Sequence, residues 1–337
     1  MVETINGKLP PALHAAPGSD PNLSTGSAGL LIVAKAASVV EFFDPRSLKR
    51  LGEIALPNFP HEVILSPDRK TAYVSIYGNG IVGTNTEPGT RIAIIDLAKQ
   101  RLDGFIEVTP YLGPHGMMFD RAGNLWATAE MSNTLIVIDP KRGAVVGAVP
   151  IGSHRTHWLA VTPDGAKIYA PHRQLNWVSV VDVATRTVVK KIPNFIYECQ
   201  GIAIAPDGNR IYQASSARPL VSVIDPNTDT VVGEIMVDGL GDFPPQHTRL
   251  KLSPDNQTLV VTYNVSCKAA LLDTADLGSQ RILPLEKGPM GIAFPDQGDT
   301  AFVTNHDEGS ITLLDLKSKK VVGRFATKMG PETLAFF

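Results

Sequence analysis

The chain has 337 residues, of which 43% are hydrophobic and 19% charged, so it is long and apolar enough to exclude a disordered protein. With 31 Lys and Arg against 33 Asp and Glu, and no dense basic cluster, the charge pattern argues against a nucleic-acid or anionic-membrane surface. No apolar run approaches the roughly 20 residues of a membrane span, and two cysteines, Cys199 and Cys267, define no disulfide framework.

The first 27 residues contain several proline and glycine turns and no apolar periodicity. We predict an irregular arm over residues 1–27, followed by a single domain over residues 28–337. The segment Met1–Ile5 has no basic region followed by an apolar core, so we expect no signal peptide in this chain. The compartment stays open between the cytoplasm and, after removal of a leader, the periplasm or the exterior.

A repeat emerges when the aspartates that end successive apolar runs are aligned. These residues are Asp44, Asp96, Asp139, Asp182, Asp225, Asp273 and Asp315, at spacings of 52, 43, 43, 43, 48 and 42 residues. A period of roughly 40–50 residues made of four short strands is typical of a β-propeller blade. The pattern therefore predicts an all-β protein with seven four-stranded blades and insertions in the second and sixth.

The fourth unit shows the blade pattern most clearly, with the turn Pro163-Asp164-Gly165 after its first strand. Its strands are predicted at Trp158–Val161, Lys167–Ala170, Trp177–Asp182 and Thr187–Ile192. The whole chain opens with a second strand, Leu30–Ala34, and closes with an inner strand, Thr333–Phe337. We therefore expect the C-terminal strand to join blade one and close the ring.

Two segments, Tyr73-Val74-Ser75-Ile76 and Phe302-Val303-Thr304-Asn305, together with a recurring Ser/Ala-Pro-Asp turn, resemble the YVTN-type propeller repeat. The resemblance covers residues 28–337 and implies a seven-bladed propeller. Similar propellers include lactonases, lyases and proteins with no assigned activity. The resemblance therefore implies the architecture and leaves the function to the chemistry of the site.

One position recurs at the start of each inner strand, eight residues before the turn that ends the strand, and we call it the slot. From blade two to blade seven the slot holds His61, His115, His157, Gln200, Thr248 and Met290, and alignment of Gly330-Pro331-Glu332 with Gly113-Pro114-His115 gives Glu332 for blade one. Because inner strands surround the central channel, we expect these side chains to share one space at its mouth. Three imidazoles suit a divalent zinc, iron or manganese ion and leave positions open for water or substrate.

We predict His61, His115 and His157 as the metal ligands, with Glu332 as a further ligand or a general base. Residues just past the second strands are expected on the same face, and among them Tyr77 and Glu130 are predicted to act in catalysis beside Glu332. Substrate contacts are predicted for Arg173, Gln200, His172, Tyr263, His247 and His306. Arg173 suits an anionic or carbonyl-bearing group, whereas His172 and His306 are interpreted as substrate-facing or structural.

The insertions Gly78–Asn85 and Gly239–Pro245 are expected to overhang the same face, as a lid or wall or as ordinary variation in loop length.

Three functions stay open. The first is a metal-dependent small-molecule enzyme, a lyase or a lactonase-like hydrolase. The others are a metal-free acid–base isomerase, cyclase or lactonase, and a non-enzymatic binding or scaffolding propeller. Structural histidines that bond loop backbone are the alternative to a metal site. We expect a small-molecule substrate and a monomer or weak oligomer.

Overall fold

The computed structural model describes residues 26–337 except 58, 81–84, 153–154, 174, 194–197 and 245. Residues 1–25 of the predicted N-terminal arm therefore lie outside the described residues. The same holds for residues 81–84 of the blade-two insertion and for residue 245 of the blade-six insertion. The boundary between arm and domain stays a prediction.

The described residues form seven four-stranded antiparallel sheets arranged as the blades of a ring, which confirms the predicted all-β propeller. In chain order the strands are β1 (Leu30–Ala34), β2 (Val39–Phe43), β3 (Arg50–Ala55), β4 (Pro60–Leu65), β5 (Thr71–Gly78), β6 (Pro88–Asp96), β7 (Arg101–Glu107), β8 (Pro114–Phe119), β9 (Leu125–Ala129), β10 (Thr134–Asp139), β11 (Ala144–Pro150), β12 (Ala160–Val161), β13 (Lys167–Pro171), β14 (Trp177–Asp182), β15 (Thr187–Pro193), β16 (Cys199–Ile204), β17 (Ile211–Ser215), β18 (Leu220–Asp225), β19 (Thr230–Met236), β20 (Thr248–Leu252), β21 (Thr258–Tyr263), β22 (Lys268–Asp273), β23 (Gln280–Pro284), β24 (Pro289–Ala293), β25 (Thr300–Asn305), β26 (Ser310–Asp315), β27 (Lys320–Ala326) and β28 (Pro331–Phe336). A 3₁₀ turn spans Glu130–Ser132. Within the described residues, no helix has the length and apolar character that crossing a bilayer requires.

Blade one is assembled from both ends of the described chain. Its sheet order is β28-β1-β2-β3, whereas each other blade uses four consecutive strands. Strand β28 pairs antiparallel with β1, with Leu31 opposite Ala335 and Ile32 opposite Leu334. The predicted closure by the C-terminal strand is therefore confirmed, although the strand begins at Pro331, two residues earlier than predicted.

The inner strand of blade four is shorter than predicted, since β12 contains only Ala160–Val161. Just before this strand, the backbone carbonyl of His157 bonds to blade three. This carbonyl accepts hydrogen bonds from the Gly116 amide (3.3 Å) and the Thr128 hydroxyl (3.2 Å). The segment before β12 pairs with its own sheet at an isolated bridge between Thr156 and His172, and it also contacts the neighbouring blade through the His157 carbonyl.

Burial varies with the position of a strand in its blade. Second strands such as β1 and β9 are buried throughout because both faces pack against neighbouring blades. Outer strands such as β19 alternate between exposed and half-buried residues. The core consequently lies between blades, as where Leu31 and Val40 of blade one pack near Val74 of blade two.

The seven aspartates that reveal the repeat share one structural role. Asp44 Oδ1 accepts hydrogen bonds from the backbone amides of Arg46 (3.1 Å) and Ser47 (2.6 Å) at the turn before β3. The same turn is held in the other blades by Asp96, Asp139, Asp182, Asp225, Asp273 and Asp315. A short carboxylate that bonds its own turn stabilises the tight connection to the outer strand, which explains why the period is readable from this residue.

Candidate active site

In most blades, a residue with left-handed backbone conformation lies just before the slot. The residue two positions before the slot has a positive φ in six blades: Phe59 (58°), Gly113 (66°), Arg155 (67°), Glu198 (58°), Gly288 (71°) and Gly330 (76°). Glycine adopts this conformation readily, whereas Phe59 is a bulky residue for which it is strained. Strain of this kind is concentrated at functional sites, and Phe59 lies in the wall of the cavity described below.

The slot itself lies in a β-bulge in several blades. The pairing register shifts between Pro60 and Val63 in β4 and between Pro114 and Met117 in β8. A bulge inserts an extra residue and changes the direction of the side chains beside it. In blade two, both His61 and the residue after it, Glu62, consequently lie at the channel.

The structure brings the three slot histidines together. His61, His115 and His157 are buried, and one ring nitrogen from each lies within 4.8 Å of the others. The ring centroids of His61 and His115 are 4.3 Å apart, and those of His115 and His157 are 3.7 Å apart. The predicted convergence of these side chains at the channel mouth is therefore present, and this group could hold a metal ion.

These imidazoles are neutral at neutral pH. Burial lowers the pKa of each well below its usual range, with further lowering by the charges of Lys35 and Arg249 at His61 and His115. The His115 Nδ1–H donates to the His157 carbonyl at 2.9 Å, which leaves the lone pair on Nε2. Among the described residues, His61 Nδ1 and His115 Nε2 have no hydrogen-bond partner. Neutral imidazoles with unused nitrogens fit the donor set that a divalent ion requires.

Glu130 and Tyr77 fix the third histidine. One carboxylate oxygen of Glu130 accepts hydrogen bonds from the Tyr77 hydroxyl (3.0 Å) and from His157 Nδ1 (3.2 Å). The second ring nitrogen, Nε2, then carries the lone pair and faces the Gln200 amide at 3.0 Å. Burial raises the pKa of Glu130 to about 7, so this carboxyl group changes charge near neutral pH.

Two charged residues missed by the sequence reasoning complete the cluster. Arg249 Nη1 lies 2.7 Å from Glu62 Oε1, and Nη2 lies 3.2 Å from Glu332 Oε1. All three side chains are buried, and the guanidinium carbon lies 4.8 Å from the centroid of the Trp158 ring. A cation between two buried carboxylates offsets the high cost of burying each charge alone.

The two carboxyl groups differ in protonation. Burial raises the pKa of Glu62 to about 7, even though Arg249 opposes the shift. Burial acts in the same direction on Glu332, but the nearby Lys35 and Arg249 charges outweigh it and lower the pKa of that carboxyl below its usual range. Glu332 is therefore ionised at neutral pH, with Oε1 3.8 Å from His61 Nε2.

Glu62 and Arg249 share one sequence feature, since each directly follows a slot residue. Around the ring this next position reads Thr333, Glu62, Gly116, Trp158, Gly201, Arg249 and Gly291. Opposite charges in blades two and six were the available signal. Without knowledge of the bulge, these charges could not be placed at the channel beside the slot residues. Strict strand alternation directs consecutive side chains to opposite faces.

A cavity of about 370 Å³, here called the mouth cavity, opens above the cluster. Its lining residues are Lys35, Ala36, Phe59, His61, Gly80, His157, Gln200, His247, Asn264, Met290, His306, Asp307 and Glu332. A second, largely apolar cavity of about 290 Å³ lies along the inner strands and includes Glu62 and Arg249 in its wall. The ion pairs of Arg249 thus join the walls of the two cavities.

Two further predicted substrate residues line the mouth cavity. His247 Nδ1 lies 2.7 Å from the Gln200 amide nitrogen, and burial lowers the pKa of His247 to about 4. His306, whose side chain is 30% exposed, has Nε2 3.5 Å from Glu332 Oε2 and Nδ1 2.8 Å from Asp307. His306 therefore links the buried carboxylate to the solvent side of the cavity.

Three other predicted residues lie outside the lining of the mouth cavity. Both ring nitrogens of the fully buried His172 are bonded, to Thr156 Oγ1 (2.6 Å) and Ser179 Oγ (2.8 Å). Tyr263 is fully buried, with its ring centroid 5.7 Å from that of Phe243. Arg173 lies beside the cluster, with its guanidinium 3.7 Å from Glu198.

The fold and the site define a seven-bladed β-propeller with a buried histidine cluster at the channel mouth. No family model matches the chain, and no curated protein matches it, so the YVTN resemblance stays a prediction. Solved structures do resemble it. The periplasmic gluconolactonase of Pseudomonas aeruginosa is similar with a TM-score of 0.75 and 19% identity, over 91% of this chain and 98% of that chain.

Hydrazine synthase of Kuenenia stuttgartiensis is similar with a TM-score of 0.70 and 19% identity, over 81% of this chain and 88% of that one. A functionally unknown protein of Desulfotomaculum acetoxidans is similar with a TM-score of 0.75 and 13% identity, over 92% and 99% of the two chains. At these identities the likeness concerns the fold, which is shared by an enzyme of lactone hydrolysis and by an enzyme of a different chemistry.

Proposed function

We propose that this protein is a metal-dependent hydrolase that opens a lactone or a related ester of a small polar molecule in the mouth cavity. His61, His115 and His157 would hold one divalent ion, such as zinc, iron or manganese. The observation that carries the proposal is the convergence of three buried, neutral imidazoles, two of which have a ring nitrogen without a hydrogen-bond partner among the described residues. The similar fold of a gluconolactonase supports the substrate class.

The buried residues around the histidines support catalysis in distinct ways. A bound divalent ion would act as a Lewis acid that polarises the ester carbonyl and acidifies water. The ionised Glu332 carboxylate is placed to accept the proton of the attacking water. Arg249 holds that carboxylate in position, and Glu130 fixes the tautomer of His157.

The path of the proton leads from Glu332 toward solvent. His306 lies 3.5 Å from the second oxygen of Glu332 and is partly exposed. It can accept the proton from the carboxyl group and pass it to water, or return it to the leaving alkoxide. A base connected to solvent in this way recovers its ionised form before the next turnover.

A panel of γ- and δ-lactones tests the proposal on protein purified without an affinity tag. We expect hydrolysis that stops in a chelator and returns when the divalent ion is restored. His172→Gln provides a matched control for loss of a buried histidine, because this residue lies outside the lining of the mouth cavity. Failure of the metal-loaded protein to open any lactone of the panel would contradict the proposal.

A metal-free acid–base enzyme, an isomerase, cyclase or lactonase, is the second candidate. The observation that favours it is the pair of buried carboxyl groups, Glu62 and Glu130, whose pKa values burial raises to about 7. Groups that titrate near the working pH are efficient proton donors and acceptors. Activity that survives the chelator and is lost in Glu130→Gln would support this candidate.

A folded protein that no member of a metabolite panel stabilises would instead support a scaffolding propeller.

A further inference from the structure

We propose that Lys35 binds a carboxylate group of the substrate, so that the protein acts on lactones or esters that carry a negative charge. This inference rests on the proposed function and names the substrate class of the same site. Lys35 was not among the residues singled out from the sequence, where Arg173 was expected to meet an anionic group.

The fold holds Lys35 at the wall of the mouth cavity. It directly follows β1, and its backbone amide donates to the Gly330 carbonyl at 2.7 Å. The side chain is half-buried and lines the cavity together with His61 and Glu332. Its ammonium nitrogen lies 5.6 Å from the centroid of the Tyr77 ring.

The charge balance around the cavity leaves Lys35 as the cation that a ligand can neutralise. Arg249 lies between Glu62 and Glu332, and Arg173 faces Glu198 at 3.7 Å. Among the described residues, the Lys35 ammonium forms no ion pair with a carboxylate. The Lys35 charge acts on Glu332 only from beyond direct ion-pair distance, so an anionic ligand that contacts the ammonium gains binding energy.

Two carboxylates also line the mouth cavity, and each already faces another cation or histidine. Glu332 is held by Arg249 at 3.2 Å, and Asp307, which is 60% exposed at its side chain, lies 2.8 Å from His306. The Arg249 charge offsets that of Glu332, and solvent screens the exposed Asp307, so the repulsion of an anionic substrate by these groups is reduced. Among the described residues that line the cavity, the ammonium of Lys35 is the cation without a direct ion pair.

The position of Lys35 relative to the histidines suits a small ligand. His61 stacks on Tyr77 with a centroid distance of 5.2 Å, and Lys35 lies against the same tyrosine ring. The ammonium and the histidine cluster are thus neighbours across one aromatic side chain. A five-membered lactone with a ring carboxylate can place its carboxylate on Lys35 while its ester carbonyl faces the histidines.

Steady-state kinetics with two matched substrates test this inference. The substrates are a γ-butyrolactone that carries a ring carboxylate and the same lactone with a carboxamide in its place. In the metal-loaded wild type we expect kcat/KM to favour the carboxylate by about tenfold or more, as a charge-assisted hydrogen bond implies. Lys35→Met should abolish this preference mainly through KM, and Lys35→Arg should retain most of it. Lys320→Met, at an exposed lysine that begins β27, is the control.

Titration calorimetry with the same two compounds separates this inference from the proposed function. Preferential binding of the carboxylate by the wild type, lost in Lys35→Met, supports the role of Lys35 even when neither compound is hydrolysed. Hydrolysis with a preference that Lys35→Met leaves unchanged contradicts the role of Lys35 while the proposed function stands. Equal binding of the two compounds by the wild type also contradicts it.

Discussion

Two arcs of the same ring use one backbone position for different purposes. In blades two to four the slot holds His61, His115 and His157, whereas in blades five to seven it holds Gln200, Thr248 and Met290. The hydroxyl of Thr248 lies 3.2 Å from Ser216 Oγ and is fully buried. In the histidine arc, two ring nitrogens have no hydrogen-bond partner among the described residues. The repeat supplies the positions, and the two ring nitrogens without a hydrogen-bond partner favour a ligand in the histidine arc.

Hydrogen bonding also distinguishes two fully buried histidines, His172 and His115. His172 has both ring nitrogens bonded to hydroxyl groups, whereas among the described residues His115 Nε2 has no hydrogen-bond partner and lies 3.7 Å from Glu62 Oε1. Burial lowers the pKa of both, to about 4 for His172. Burial and pKa alone therefore do not distinguish a structural histidine from a candidate ligand, but hydrogen bonding does.

Substitutions in the two arcs are expected to differ most in their effect on kcat/KM. His115→Ala should lower kcat/KM for lactone hydrolysis by about a thousandfold, because it would remove a proposed ligand of an ion that would supply several kcal/mol of transition-state stabilisation. Thr248→Ala, at the slot on the opposite side of the ring, should change kcat/KM by less than about tenfold. Parallel assays of the two variants check this, and equal losses would contradict the division into two arcs.

Removal of the cation that joins the two arcs should strongly destabilise the fold. Arg249→Met leaves Glu62 and Glu332 buried without their shared partner, so we expect a loss of about 3–5 kcal/mol in the free energy of unfolding. Arg91→Met is the matched control, since its pair with Glu107 is exposed and contributes only about 0–1 kcal/mol. Denaturant unfolding measures both, and similar losses in the two variants would contradict a stabilising role for the buried network.

Much of this architecture could be predicted from the sequence because turn chemistry is local. The aspartates from Asp44 to Asp315 bond their own turns, so their spacing reveals the seven blades without any tertiary information. The histidine arc was predictable for the same reason, since His61, His115 and His157 keep one distance from a turn. The closing strand followed from an unpaired inner strand at the C-terminal end.

The remaining site residues could not be predicted, because their positions depend on three-dimensional geometry that no local sequence pattern shows. Glu62 became visible only through the bulge in β4, and Arg249 only through contact with a glutamate far away in sequence. His172 was interpreted as substrate-facing or structural because it follows a second strand. Its ring is bonded to Thr156 and Ser179, which favours the structural alternative, and the sequence alone did not decide between the two.

The support of the histidine arc by Glu130 should appear as a pH dependence of metal affinity. As the pH rises through about 7, Glu130 loses its proton and accepts the Nδ1–H of His157, so metal affinity should rise. Glu130→Gln should remove this dependence and weaken metal binding about 10–100-fold at pH 8. Tyr77→Phe should move the transition to higher pH, because the Tyr77 hydroxyl lowers the pKa of Glu130. An unchanged pH profile in Glu130→Gln would contradict this role.

The smallest effect is expected at His172, and it should concern stability alone. Its folded pKa of about 4 lies below the ordinary value of 6.5, so its contribution is complete above pH 6.5 and is lost as the pH falls toward 4. His172→Gln should lower the free energy of unfolding by about 1–3 kcal/mol at pH 8 and reduce its decline on acidification. Urea unfolding across this pH range checks the prediction, and loss of bound metal in this variant would contradict it.

The metal content of protein purified without an affinity tag tests the central claim most directly. Elemental analysis, followed by zinc titration of chelated protein, should give about one ion per chain for the wild type and for His172→Gln. His61→Ala, His115→Ala and His157→Ala should each lose this ion while they remain folded. A wild type that binds no stoichiometric ion, or three variants that bind it as the wild type does, would contradict a metal site at the histidine arc.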